Sequence, residues 1–302
     1  MATLPRKMPA NIYIGAAGWS YPDWKGVVYP SQRLRGKSEL AYLADYLDAA
    51  EINTSFYRPP SAAMAERWVK QVAGKPGFLF TAKLWQRFTH ERERAWTAPE
   101  VEQFKSGIRP LREANRFGAL LMQFPWSFTA GEPSRDWLSR LSEAFGEFPC
   151  VLEVRHASWD SPESREFLRR AGLNFCNIDQ PHSRSSIGPT SFATGPIAYY
   201  RFHGRNAQAW FARDAGRDER YNYLYTGDEL APWAENIAVM AKEVQKLFVM
   251  NNNHYRGQAV VNALQLKSAL SGEKVRVPEL LAEQYPVLKE IAAPSEGSAR
   301  LF

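Results

Sequence analysis

Two kinds of apolar spacing alternate along this chain. Short continuous apolar runs mark strands buried on both faces. Between them lie longer stretches in which apolar residues recur every three or four positions, the spacing of amphipathic helices. The runs are Asn11–Ala17, Glu51–Tyr57, Phe78–Leu84, Gly118–Phe124, Val151–Arg155, Leu173–Asp179, Ile197–His203 and Leu247–Asn253. Helices are predicted from Ser38 to Ala49, from a Ser61 cap to Ala73, and from the capping box Thr97-Ala98-Pro99-Glu100 to Asn115. Others start at Ser134, at Ser161-Pro162, at Asp228 and at Val260.

Strands that alternate with helices through eight runs predict an α/β fold, the (β/α)8 TIM barrel. A doubly wound sheet is the alternative, but no G-x-G-x-x-G follows any run. The barrel is expected to be a single domain over residues 11–270. Residues 271–302 then form a peripheral C-terminal helix, near Pro278 to Ile291, and a flexible tail. Helix-to-strand links such as Gly74-Lys75-Pro76-Gly77 are short, whereas strand-to-helix links are long and aromatic. That asymmetry is expected when one rim carries a site.

Polar residues near strand ends fall two apart: Glu51/Asn53, Thr81/Lys83, Glu153/Arg155, Asn177/Asp179, Arg201/His203 and Asn251/Asn253. Residues two apart on a strand share a face. If each pair faces inward, together they line the C-terminal mouth.

Composition adds bounds. A hydrophobic content of 45% supports a large core, and aromatic residues make up 13% of the 302. A net charge of +6 is weak evidence for anionic partners. Cys150 and Cys176 sit in apolar runs and read as buried free thiols of a reducing compartment. The first ten residues lack the apolar core of a signal peptide, and no apolar run reaches the roughly 18 residues of a membrane span. A cytoplasmic protein with no membrane contact is the expectation; cofactor and oligomeric state stay open.

Gly15-Ala16-Ala17-Gly18-Trp19-Ser20-Tyr21, the run Glu51 to Tyr57, Gln123-Phe124-Pro125, Glu153-Val154-Arg155-His156 with Trp159, Arg201-Phe202-His203-Gly204-Arg205 and Asn251-Asn252-Asn253-His254 together resemble the YecE-like family, the domain of unknown function seventy-two. The resemblance implies a TIM barrel and no established activity. The family's likeness to metal-dependent apurinic endonuclease and sugar-isomerase barrels implies nucleic acid or sugar phosphates as ligands, by fold analogy alone.

The candidate chemistry follows from the residue types. Glu153, held ionised by Arg155, is the expected general base, with His203, Lys83 and Asp179 as the other catalytic candidates. Were Glu153 only half of a structural ion pair, its loss would cost stability instead. Expected substrate-binding residues are Glu51, Asn53, Tyr57, Gln123, Arg155, Trp159, Arg201, Gly204, Arg205, Tyr223, Asn251 and Asn253. The loops after strands seven and eight, with Gly204, Arg205 and Arg256, suit phosphate. The leading expectation is a hydrolase or lyase acting on a phosphorylated or nucleotide-like anion. A non-catalytic nucleic-acid-binding module is the alternative, its arginines interleaved with aromatic residues. Two further readings are a glycosidase using two of Glu51, Glu153 and Asp179, and a metal site from Glu153, Asp179, His182 and His203. A Schiff-base role for Lys83 requires a lowered pKa, for which the sequence carries no sign.

Overall fold

The computed structural model describes residues 8–294 apart from 32, 33 and 35. Eight strands run in parallel: β1 (Ile12–Ala17), β2 (Ala49–Ile52), β3 (Leu79–Lys83), β4 (Phe117–Gln123), β5 (Cys150–Glu153), β6 (Asn174–Asp179), β7 (Ile197–Phe202) and β8 (Lys246–Asn251). They pair in chain order, and β8 closes on β1. This is the TIM barrel expected from the alternating pattern.

Helix starts follow their caps. The Ser61 hydroxyl accepts from the Met64 amide ahead of helix Ala62–Gln71, and Thr97 and Glu100 form the expected capping box. Ser161 caps helix Pro162–Arg170. Some boundaries differ. Helix Gly227–Met240 is capped by Thr226 and Glu229 rather than at Asp228. Helix Glu132–Phe145 starts before Ser134, with Gly131 at its cap. The predicted helix over 38–49 ends at Leu43, because Ala49 and Ala50 belong to β2. The second strand in turn stops at Ile52, where the Ser55 hydroxyl lies 2.7 Å from the carbonyls of both Ile52 and Lys83 and folds the chain into a tight turn.

Strand register sets which residues point inward. Neighbours in register share a face, and the ring Ala17–Glu51–Thr81–Ala119 belongs to one face. Leu121 and Val151, Gln123 and Glu153, Cys176 and Tyr199, and Ile178 and Arg201 continue it. The lower barrel is plugged by Tyr13 stacked on Phe248, with Tyr199 beside them. Gly118 sits at a register shift between Phe80 and Thr81, where a Cβ would stand 2.4 Å from the Phe248 ring. The opposite faces pack against the helices, in a core that includes Ile14, Val249, Trp233, Val260 and Leu264.

After helix Gln258–Ser271 the chain forms helix Glu279–Gln284 and a 3-10 turn, Pro286–Glu290. Leu281 and Leu288 are fully buried there against the outer core. The expected flexible tail from 295 lies outside the described residues. Among the described residues, no helix is long and apolar enough to cross a membrane.

Candidate active site at the C-terminal mouth of the barrel

Four of the six polar pairs converge as expected, and at their centre lies Arg201. It leaves the end of β7 on the inner face, 2% exposed. Its two terminal nitrogens are taken by two carboxylates: Nη1 donates to Glu153 Oε2 at 2.5 Å and Nη2 to Glu51 Oε1 at 2.6 Å. Glu51 also accepts from the Tyr199 hydroxyl at 2.8 Å, which in turn meets Thr81 Oγ1. Glu153 accepts a further bond at Oε1 from Arg155 Nη2, 3.0 Å away. Burial opposes the charge on Glu153, but Arg201, then the His203 ring and Arg155, outweigh it and hold the carboxyl well below its ordinary range.

His203 is fully buried beside this network, with Nε2 3.3 Å from Glu153 Oε1. The Asn252 amide donates to Nδ1 at 3.0 Å, which leaves the ring proton on Nε2, facing the carboxylate. Burial lowers the pKa of His203 to about 3 despite Glu153, so the ring is neutral.

Above lies a cavity of about 490 Å³, within the usual range for small-molecule sites (roughly 300–1,000 Å³). Three cations border it: Lys83, Arg155 and Arg201. Asn53, Gln123 and Asn252 add polar groups, and Trp19, Tyr21, Phe56, Trp68 and Tyr221 form aromatic walls. Tyr57 stands at the mouth, 63% exposed. Tyr21 is stacked on His254 at 4.5 Å between ring centres. The β1 and β8 loops that carry those two rings are tied together by Trp24, whose indole donates to the His254 carbonyl.

Lys83 differs from the two arginines. Among the described residues it has no carboxylate within ion-pair distance; Nζ donates to Gln123 Oε1 at 3.1 Å and lies 4.1 Å above the Phe56 ring. Burial, then the positive charge of Arg201, lowers its pKa to about 8, against partial opposition from Glu153 and Glu51. This is the lowered lysine for which the sequence carried no sign.

Other expected site residues are placed elsewhere. Asn177/Asp179 and Asn251/Asn253 face outward: their register partners, Tyr200 and Phe202, pack toward the helices. Spacing of two fixes a shared face but not which face, and both faces of these strands are apolar. Asn177 holds the Phe192 backbone; Asn253 donates to the Tyr223 carbonyl and to Asn262. Asp179 accepts from Arg205 Nε at 2.9 Å, and Arg205 also meets Glu229. Burial raises the Asp179 carboxyl, with Arg205 opposing. Tyr223 bonds Glu229 as well, so this second cluster fastens the loop after β7 rather than bordering the cavity.

In the expected phosphate loop, Arg205 is paired with Asp179 and Glu229 and borders a separate cavity on the outer side of the barrel wall. The Gly204 amide donates to the Tyr225 hydroxyl, and a Cβ at Gly204 would stand 2.7 Å from Tyr223. Arg256 lies in the left-handed backbone region, its amide bonded to Asp23. Trp159 is fully buried and donates to the Phe128 carbonyl, so it is core.

The proposed metal quartet is parted: Asp179 is on the outer face and His182 is exposed, away from buried Glu153 and His203. Among the described residues, no three His, Cys, Asp or Glu side chains are grouped to hold a metal ion. The glycosidase pairing also fails on geometry, since Glu51 and Glu153 both close on Arg201 and do not border the cavity. Sequence reasoning missed Phe56, Met64 and Trp68 at the wall. It chose Asn251 and Asn253 over Asn252, which shares the inward phase of Met250.

The family model described as "Protein of unknown function DUF72" matches residues 13–286, from the first strand into the C-terminal 3-10 turn. The chain belongs to the DUF72 family. The UPF0759 protein YunF of Bacillus subtilis is 31% identical over 275 residues, covering 87% of this chain and 95% of YunF. A DUF72 family protein of Thermotoga maritima superposes with a TM-score of 0.76 at 34% identity, covering 86% of this chain and 98% of that one. A DUF72 family protein of Enterococcus faecalis shares the fold at a TM-score of 0.76 and 24% identity, over 89% and 98% of the two chains.

Proposed function

We propose that this DUF72 barrel is an enzyme, a hydrolase or lyase, whose mouth binds a small ring-bearing anion of the phosphorylated or nucleotide-like kind. One observation carries the reading. Three cations border a cavity with aromatic walls, while the two carboxylates that balance the guanidiniums are buried behind Arg201 and turned from it. A cavity built this way favours negative charge at its floor and a flat ring against its walls.

The roles divide by exposure. Arg155 and Lys83 contact the anion, and Arg201 adds a fixed charge from below. Trp19, Tyr21, Phe56 and Tyr221 stack on the ring. Glu153 moves from base to positioning residue, because both of its oxygens are engaged and its proton is held off by Arg201 and Arg155. His203, neutral and without cavity surface, lies against the same carboxylate, its Nε2 3.3 Å from Oε1. The group with a pKa suited to proton transfer near neutrality is Lys83.

Calorimetry with inorganic phosphate, ribose 5-phosphate and adenosine monophosphate tests the reading. The ring-bearing phosphates are expected to bind at least tenfold more tightly than phosphate alone. Arg155→Met should weaken them by about tenfold, the worth of one charge-assisted contact. Equal weak binding of all three, unchanged by Arg155→Met, would refute it. A nucleic-acid-binding surface would instead prefer oligonucleotides over mononucleotides and lose affinity steeply with salt.

A further inference from the structure

We propose that Lys83 is a nucleophilic amine that forms a Schiff base with an aldehyde or ketone carried by the anionic substrate. The inference rests on the anion-binding reading above and names the substrate class more narrowly: a carbonyl compound bearing a phosphate or carboxylate.

The geometry separates Lys83 from every other cation at the mouth. The local carboxylates are fully used: Glu51 by Arg201 and Tyr199, Glu153 by Arg201 and Arg155. Lys83 is left with an amide oxygen of Gln123, a ring face of Phe56 and, among the described residues, no counter-ion. Its Nζ borders the cavity alongside two guanidiniums that stay charged at all accessible pH. A lysine needs a lowered pKa from desolvation or from neighbouring cations to act as an amine nucleophile. Here both are present, and the ammonium is weakened to about 8.

An anion at this mouth meets positive charge that no accessible pH removes. Arg155 and Arg201 already supply two charges there. The rigid support is of the kind a reacting group requires: β3 ends at Lys83, and Ser55 bonds the Lys83 carbonyl from the β2 turn.

The step balances without a further reagent. The ammonium first gives one proton to solvent; the freed Nζ lone pair then attacks the carbonyl carbon and a C–N bond forms. The C–O bond breaks as the oxygen leaves as water, taking one proton from nitrogen and one back from solvent, and the N-protonated carbon–nitrogen double bond carries the positive charge. Arg155 holds the substrate's anionic group meanwhile, with the fixed charge of Arg201 beneath it. The resulting iminium withdraws electrons from the adjacent carbon, which serves carbon–carbon cleavage or elimination, the lyase branch of the proposed function.

The test uses pyridoxal 5′-phosphate as probe, because it joins an aromatic ring, a phosphate and an aldehyde. The full-length protein is incubated with the probe, reduced with borohydride, digested and mapped by mass spectrometry. Expected is one dominant adduct on Lys83, formed at least tenfold faster than on Lys242, with half-maximal rate near pH 8. Lys83→Arg and Lys83→Met should abolish it, while Lys83→Arg keeps affinity for pyridoxine 5′-phosphate, which lacks the aldehyde. Adducts spread over surface lysines and unchanged in both variants would overturn the proposal. Tight binding of pyridoxine 5′-phosphate with no adduct would overturn the Schiff base and leave the anion site standing. Loss of both would overturn the two readings together.

Discussion

Replacing Lys83 by Met should stabilise the protein. In the folded state the Lys83 proton is held with a pKa of about 8, against 10.5 for an unperturbed lysine. At pH 7 both states are protonated, so the charged side chain is less favourable in the fold by that difference. At about 1.4 kcal/mol per unit, the cost is about 3–4 kcal/mol as an upper bound. Lys83 is half-buried rather than enclosed, and Met forfeits the contacts with Gln123 and Phe56. Together these reduce the net gain to about 1–2 kcal/mol. For a chain of this size, roughly 2 °C of melting temperature accompany each kcal/mol. Lys83→Met should therefore melt about 2–4 °C higher at pH 7.

The sign is fixed by the direction of the shift. As pH rises from about 8 toward 10.5, the folded protein gives up this proton while the unfolded chain retains it. The wild type thereby recovers the lost stability, and the gap between the two proteins closes. The assay is calorimetric melting of both proteins at pH 7, 8.5 and 10. A destabilised variant at pH 7, or a gap that does not narrow on going alkaline, would refute the claim that the amine is desolvated and unpaired.

The other predictions are more local. Glu153→Gln removes a buried carboxylate from between two guanidiniums, and should cost about 3–5 kcal/mol in urea unfolding; a loss below about 1 kcal/mol would mean that the carboxylate is free to act as a base. His203 is neutral in the fold and titrates near 3, while in the unfolded chain it titrates near 6.5. Stability should therefore fall as pH drops below about 6.5, by up to about 1.4 kcal/mol per unit, and His203→Gln should flatten that slope. An unchanged slope would show that the ring is already charged. Asp179→Asn should loosen the Arg205 contact and speed proteolysis of the 204–226 loop without altering phosphate affinity; a tenfold loss of affinity would put Asp179 back into the site.

The barrel was legible because its signals are local. Eight buried runs and their caps specify strand–helix alternation regardless of long-range packing. The charged centre was legible too: Glu51, Lys83, Glu153, Arg155, Arg201 and His203 all share the inner face. Two errors have one cause. Spacing marks Asn177/Asp179 and Asn251/Asn253 as pairs, but phase relative to the barrel axis depends on register with neighbouring strands. When both faces are apolar, nothing in the run itself sets that phase. Arg201 resolves it for β6 and β8, because it stands in register with Ile178 and Met250. The role of Glu153 was hidden for a different reason. A carboxylate two residues from an arginine suggests one partner, whereas the fold brings a second, Arg201, from 48 positions away. The weakened ammonium of Lys83 likewise depends on which carboxylates are already taken, and that is a property of the assembled mouth.

The most direct trial of the central claim is a crystal soaked with a ring-bearing phosphate such as adenosine monophosphate. Phosphate density is expected in contact with Lys83 and Arg155 above Arg201, with a base or sugar ring against Trp19, Tyr21 or Tyr221. A phosphate bound instead at Arg205 and the Gly204 loop, with the cavity unoccupied, would contradict it.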